Sequence, residues 1–156
     1  MISLREIDRS NWEDIIHLSL KEEQQHFMAS NLYSLAEVQF LPGFMTRGVY
    51  LKDQAIGFLM FGIDPDDHNY WIYRFMIDKQ FQGKGYGKAA MKLLIELIEG
   101  MNNSGKVIMI GYDPDNIGAR KLYASVGFEK RGIADWGEEL AQYTFSRSSD
   151  PNGGDK

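Results

Sequence analysis

The chain has 156 residues, 44% hydrophobic and 25% charged, which is the material of one globular domain with a core and excludes a disordered chain. No run approaches the ~20 apolar residues of a membrane span, and Arg5, Glu6, Asp8 and Arg9 stand where a signal peptide would be apolar, so a cytoplasmic protein with no membrane partner is expected. The absence of cysteine excludes disulfides and a thiol nucleophile, three scattered histidines argue for no metal, and a net charge of −5 argues for no nucleic-acid partner.

In chain order, Ile2, Leu4 and Ile7 predict a short first strand. Ser10 or Asn11 then caps a helix whose apolar stripe is Trp12, Ile15, Ile16, Leu18 and Leu20. A polar stretch, Lys21 to His26, leads to a second helix from Asn31 to Phe40, ended by Pro42-Gly43. Gly48–Lys52 and Ala55–Ile63 read as a hairpin, and Tyr70–Ile77 as a strand with aromatic residues at alternating positions. The loop between them carries Asp64, Asp66 and Asp67.

A glycine-rich turn, Gly83 to Gly87, opens an amphipathic helix with Ala90, Met91, Leu93, Leu94, Leu97, Ile98 and Met101 at helical spacing. Asn102-Asn103-Ser104-Gly105 should stop it, and Val107–Tyr112 is the next strand. Asp113-Pro114-Asp115-Asn116 turns into a helix carrying Ala119, Leu122, Tyr123 and Val126, closed by Gly127. Phe128 to Phe145 reads as a strand, a Trp136-Gly137-Glu138 turn and a returning strand. The domain is expected to span 1–145, followed by a disordered polar tail, 146–156. Strands first and β–α–β–α–β alternation afterwards predict a mixed α/β sheet with helices on its faces.

The string Gln82-Gly83-Lys84-Gly85-Tyr86-Gly87-Lys88 carries the most chemistry. Glycines between a strand and a helix permit positive φ and close approach of a ligand, and a helix N-terminus offers free N–H groups to an anion. A nucleotide P-loop does not fit, because Ala89 follows Gly87-Lys88 and Gln82 occupies the first glycine position. The dinucleotide fingerprint G-x-G-x-x-A is matched by Gly85 to Ala90, but its acidic partner about 20 residues on is not in place, since the next strand ends late, at Asp113.

A third pattern, Q-x-x-G-x-G, is met by Gln82, Gly85 and Gly87. With Asp115 to Tyr123 and Val126-Gly127-Phe128 as a second signature one helix and one strand later, the chain resembles the GNAT superfamily of acetyl-CoA-dependent N-acetyltransferases from Ile2 to Phe145. The stretches Glu22–Val38, Ala55–Asp64 and Tyr70–Gly87 further resemble bacterial spermine/spermidine (diamine) N-acetyltransferases. The resemblance implies a mostly antiparallel central sheet (α+β) with helices on both faces and a splayed central strand pair. It also implies acetyl transfer to a primary amine, spermidine or spermine first, by direct attack in a ternary complex, in a homodimer.

It assigns roles to residues as well. The N–H groups of Gln82, Gly83, Lys84, Gly85, Tyr86, Gly87 and Lys88 would hold the pyrophosphate of the donor. The backbone of Phe75, Met76 and Ile77 would pair with the pantetheine arm, with a strand N–H near Met76 polarising the thioester carbonyl. Asn116 would bond the arm from the other side, cap its helix, or do both. Tyr123 would protonate the departing thiolate. Many relatives carry a carboxylate on the central strand where this chain has Tyr73 and Arg74. The base then falls to Glu22, Glu23, Asp113 or a water chain ending at Tyr73.

An amine with a pKa of about 10.4 arrives charged. Glu22, Glu23, Asp64, Asp66, Asp67 and Glu138 could steer it, and Trp71, Tyr73 and Trp136 could offer ring faces. The rival readings are another small amine, an aminoglycoside or a peptide amine as acceptor, a weakly catalytic acyl-CoA sensor, and a dinucleotide-binding module.

Overall fold

The computed structural model describes residues 1–101 and 105–145. Its elements are β1 (Ile2–Arg5), α1 (Trp12–Ile16), α2 (Asn31–Val38), β2 (Phe44–Leu51), β3 (Gln54–Ile63), β4 (Tyr70–Ile77), α3 (Tyr86–Glu99), β5 (Val107–Tyr112), α4 (Ile117–Ser125), β6 (Glu129–Ile133) and β7 (Glu139–Thr144). Two 3-10 helices, Glu22–Phe27 and Lys79–Phe81, sit in the connections.

The seven strands form one sheet in the order β1-β2-β3-β4-β5-β7-β6. Every pairing is antiparallel except β4 with β5. That parallel ladder holds only Tyr70 to Ile72 against Ile108 to Ile110, and beyond it the two strands diverge. The mixed sheet and its splayed central pair therefore stand as expected.

Each face of the sheet has its own core. On one side Ile72, Ile77, Ile108, Ile110 and Tyr112 pack with Ala90, Met91, Leu94, Ile95 and Ile98 of α3 and Tyr123 of α4. Those α3 residues recur at helical spacing, so one stripe of the helix is buried. Met91 and Leu94 are fully buried, and truncating such a side chain to alanine typically costs about 2–5 kcal/mol. On the other side Phe58, Met60 and Met76 meet Ile15 of α1, with Leu35 and Val38 of α2 against them.

A bulge at the centre of the sheet positions the site. Met60 pairs with Arg74 but Phe61 pairs with Ile72, which leaves Tyr73 as the extra residue on β4. Ile72 and Phe75 face the α3 side, whereas Tyr73 packs on the α1 side and Arg74 reaches Glu37 of α2. Two consecutive side chains thus point the same way. Gly57 lies under this strand, and a Cβ there would come within 2.5 Å of the Met76 carbonyl oxygen.

Several boundaries depart from expectation. β1 ends at Arg5, before Ile7, and β2 begins at Phe44, four residues before Gly48. α1 stops at Ile16 although the apolar stripe runs to Leu20. Neither proposed cap acts as one: Asn11 accepts from the Asp8 N–H and donates to the Glu6 carbonyl, while Ser10 bonds Asp8. Leu18 and Leu20 still join the core, from irregular backbone pinned where the Ser19 N–H donates to Asp78. The polar stretch after Lys21 is a 3-10 helix, and α2 ends two residues short of Phe40. α3 ends at Glu99 with Gly100 as its C-cap, and of the expected stop Asn102-Asn103-Ser104-Gly105 the first three lie outside the described residues, as does the tail 146–156.

Candidate active site

Where β4 and β5 diverge, a cleft of about 770 Å³ opens through the sheet. The β5-facing edge of β4 from Tyr73 to Ile77 has no strand partner. Its backbone groups are consequently open to an extended ligand, apart from the Ile77 carbonyl, which accepts from Gln82 Nε2 at 3.0 Å. Phe75, Met76 and Ile77 all line the cleft.

The glycine turn closes one end. Gly83 and Gly85 have φ of +78° and +86°, and nothing stands within 4 Å of a Cβ built on either. They serve the backbone conformation and leave open space over the loop. Gly87 is different: its Cβ would sit 3.4 Å from Leu122 Cδ2, so it brings α3 close to α4. Gly85 caps α3 without a side chain, and among the described residues the N–H groups of 83 to 88 donate to nothing within the chain. Six free donors at a helix N-terminus, with Lys88 beside them, make an anion cradle.

Gln82 has a structural share in this. Its amide pairs reciprocally with that of Gln24, at 3.1 and 3.3 Å, and so ties the first 3-10 helix to the turn. Gln24 and Phe27 of that helix line the cleft, whereas Glu22 and Glu23 do not. With three residues per turn, a 3-10 helix presents positions three apart to one side.

Asn116 lines the opposite wall and caps α4, its Oδ1 accepting from the Ala119 N–H at 3.1 Å. Tyr123 enters from α4, 6% exposed, with its ring 5.5 Å from Tyr112, 5.8 Å from Phe128 and 6.4 Å from Phe75. These aromatic contacts fix the ring, while the hydroxyl makes no hydrogen bond among the described residues. Burial first, then the neighbouring Tyr112 and Glu138, push its pKa well above the ordinary phenol value. The group is a fixed phenol that burial keeps protonated.

Tyr73 also lines the cleft, but its hydroxyl donates to Asp64 Oδ2 at 2.7 Å and its ring lies 4.3 Å from Phe44. Asp113 lines the cleft with Oδ1 accepting from the Asp115 N–H. Lys84, Tyr86 and Trp71 do not line it. Trp71 sits where β4 is still paired with β5, and its indole N–H goes to Asp67. Among the described residues the acidic side chains on the cleft are Asp113 and Glu138, and the sequence offers the second only as a steering charge. Among those residues no group of three metal-ligating side chains comes together, and no helix is long and apolar enough to cross a membrane.

An open strand edge, an anion cradle and a protonated phenol along one cleft suit a phosphate-bearing thioester with an amide arm. A model of the acetyltransferase (GNAT) family matches residues 2–128. The chain belongs to the acetyltransferase (GNAT) family. It is an acyltransferase, an N-acetyltransferase whose acetyl donor is acetyl-CoA.

Among its relatives in sequence is the spermine/spermidine N(1)-acetyltransferase of Bacillus subtilis (strain 168), 28% identical over 144 residues, covering 88% of this chain and 94% of the relative. The human N-acetylaspartate synthetase is 24% identical over 131 residues, which are 84% of this chain and 39% of that protein. Among solved structures, an aminoglycoside acetyltransferase AAC(6')-Ib in complex with acetyl-CoA superposes with a TM-score of 0.78 at 16% identity, covering 96% of this chain and 98% of that one. The PaiA N-acetyltransferase of Thermoplasma acidophilum, in complex with coenzyme A, gives 0.69 at 14% identity, covering 93% and 99%. The GNAT family and fold expected from the two signatures are thereby found in this chain.

Proposed function

We propose that this GNAT enzyme acetylates a primary amine of a polyamine, spermidine or spermine, by direct attack on acetyl-CoA. The observation that carries the reading is the pair of carboxylates on the cleft: Asp113 and Glu138 line it together with the apolar Phe27 and Met28, while of its cations Lys88 lies at the cradle, Arg74 is paired with Glu37 and Lys121 stands on α4. Carboxylates set among apolar walls suit a flexible chain of methylenes with ammonium groups at intervals. The relatedness to a spermine/spermidine acetyltransferase over nearly the full length of both chains supports the same acceptor.

In this reading the cradle of 83 to 88 holds the pyrophosphate and the edge of β4 aligns the arm. Asn116 caps α4 with its oxygen and keeps its amide N–H groups for the ligand. Tyr123 donates its proton to the leaving sulfur, a role for which a phenol kept neutral by burial is suited.

The test is thiol release from acetyl-CoA across spermine, spermidine, putrescine, lysine, an aminoglycoside and a short peptide, with Tyr123→Phe alongside. Fast release with spermidine or spermine, reduced about 10²-fold in the variant, is the expected result. Release with a different amine and none with polyamines overturns the acceptor assignment.

A further inference from the structure

We propose that Glu138, on the turn between β6 and β7, binds the reacting ammonium of the acceptor and takes its proton, a role that rests on the amine acetylation proposed above. The central strand carries no acid in its splayed part: its residues there are Tyr73, Arg74, Phe75, Met76 and Ile77. The Tyr73 hydroxyl donates to Asp64 and is hard to ionise, and Arg74 is a cation paired with Glu37. A carboxylate has to reach the reaction centre from elsewhere.

Glu138 does so because β5 makes room for it. A Cβ on Gly111 would lie 2.7 Å from Glu138 Oε1, so the carboxylate rests over the bare backbone of β5 at the point where it parts from β4. The same oxygen accepts from Trp136 Nε1 at 2.7 Å, which orients the group, while Oε2 has no partner among the described residues. Its charge bears on the Tyr123 hydroxyl, one of the causes, after burial and Tyr112, that keep that phenol neutral. Acid and base would then stand at one reaction centre.

Besides Tyr73 and Arg74, the titratable groups that line the cleft with it are Lys88 on α3, Tyr112 on β5, Asp113 after β5, and Lys121 and Tyr123 on α4. Asp113 is turned to its own loop through Asp115. Arg120 and Lys130 are both committed to Glu139 on β7, so neither neutralises Glu138.

The step balances as follows. The ammonium gives one proton to the Glu138 carboxylate as its nitrogen bonds to the acetyl carbon. The C–S bond breaks, and the sulfur takes the Tyr123 proton. A second amine proton restores Tyr123, the third stays on the amide nitrogen, and Glu138 returns its proton to solvent.

The experiment compares wild type with Glu138→Gln and Gly111→Ala, with the amine that turns over fastest in the panel, from pH 6 to 10. Expected for Glu138→Gln is a loss in kcat of about 10²-fold at pH 7 with the KM for acetyl-CoA unchanged. The loss should shrink about tenfold per pH unit and vanish near pH 9, because the free form of an amine with a pKa of about 10.4 rises tenfold per unit over that range. Gly111→Ala, which displaces the carboxylate, should show a weaker form of the same profile and add nothing in the Glu138→Gln background. A wild-type rate and profile in Glu138→Gln, or a loss that is uniform with pH and raises the KM for acetyl-CoA, overturns the proposal. Turnover of another amine in place of polyamines, still with this profile, overturns only the acceptor assignment. Release of thiol with no amine overturns both.

Discussion

The hydroxyl of Tyr73 donates to Asp64 Oδ2 at 2.7 Å, tying the bulge of β4 to the loop that precedes it. Burial first, then this bond and the surrounding carboxylates of Asp64, Asp66 and Asp67, raise the Tyr73 pKa strongly. A phenol so hard to ionise is unsuited to be the final proton acceptor of a wire. Tyr73→Phe is therefore expected to keep kcat within about threefold and to lose about 1 kcal/mol of stability, the net worth of one partly exposed hydrogen bond. Steady-state turnover and thermal melting of the same variant check both halves.

Gly85→Ala separates the cradle from the chemistry. At a φ of +86° an L-residue is strained by about 1–2 kcal/mol. The new methyl meets no protein atom within 4 Å, so the substitution acts through the backbone of the loop and the N–H groups that it holds. The fold should persist with a lower Tm, and the KM for acetyl-CoA should rise about tenfold with kcat little changed. An unchanged KM would show that the phosphates sit elsewhere.

What the sequence made legible follows from which residues speak for themselves. The 14 residues of α3 bury one stripe, and the glycine turn carries its spacing openly, so element and site could be read together. The short segments were harder. Beyond the end of α1 at Ile16, the Ser19 N–H donates to Asp78 and the Ser19 carbonyl accepts from the Lys79 N–H, contacts 59 and 60 residues apart that no local pattern encodes. The bulge at Tyr73 depends on the register with β3 and puts Tyr73 and Arg74 on one side. Strict alternation would have separated them, and Trp71, a ring face on offer to an ammonium group, lies in the paired part of β4, off the cleft. Glu138 was visible as a charge, but its position required Gly111, 27 residues away, to lack a side chain.

Three tyrosines give the stability a pH dependence. Burial is the first cause of the raised pKa of Tyr73, Tyr112 and Tyr123 alike. Each is harder to ionise when folded than in the unfolded chain, whose phenols titrate near 10. The stabilisation is fully present below about pH 10 and is lost as pH rises above it, because the unfolded state releases its protons first. Tm should fall steeply above pH 10, and less steeply in Tyr123→Phe, whose phenol is the most buried. An equal slope in the variant would mean that other groups govern the alkaline transition.

Arg74 and Glu37 join at 2.7 Å, with 15% and 32% of their side chains exposed. The pair holds α2 to the bulge, and Arg74 Nη1 also donates to the Tyr73 carbonyl, while its Nε is buried without a partner. The two halves of the pair should not be equivalent. Glu37→Gln keeps the shape but leaves a mostly buried guanidinium without its counter-charge, and about 2 kcal/mol should be lost, below the 3–5 of a fully buried pair. Arg74→Met removes the buried charge and the orphaned Nε together and leaves Glu37 free to hydrate, so it should cost less than Glu37→Gln. The double variant should be no worse than Glu37→Gln alone. Chemical denaturation of the four proteins measures the cycle, and a larger loss for Arg74→Met than for Glu37→Gln would mean that Arg74 stabilises chiefly through its packing and its bond to Tyr73, with the ion pair secondary.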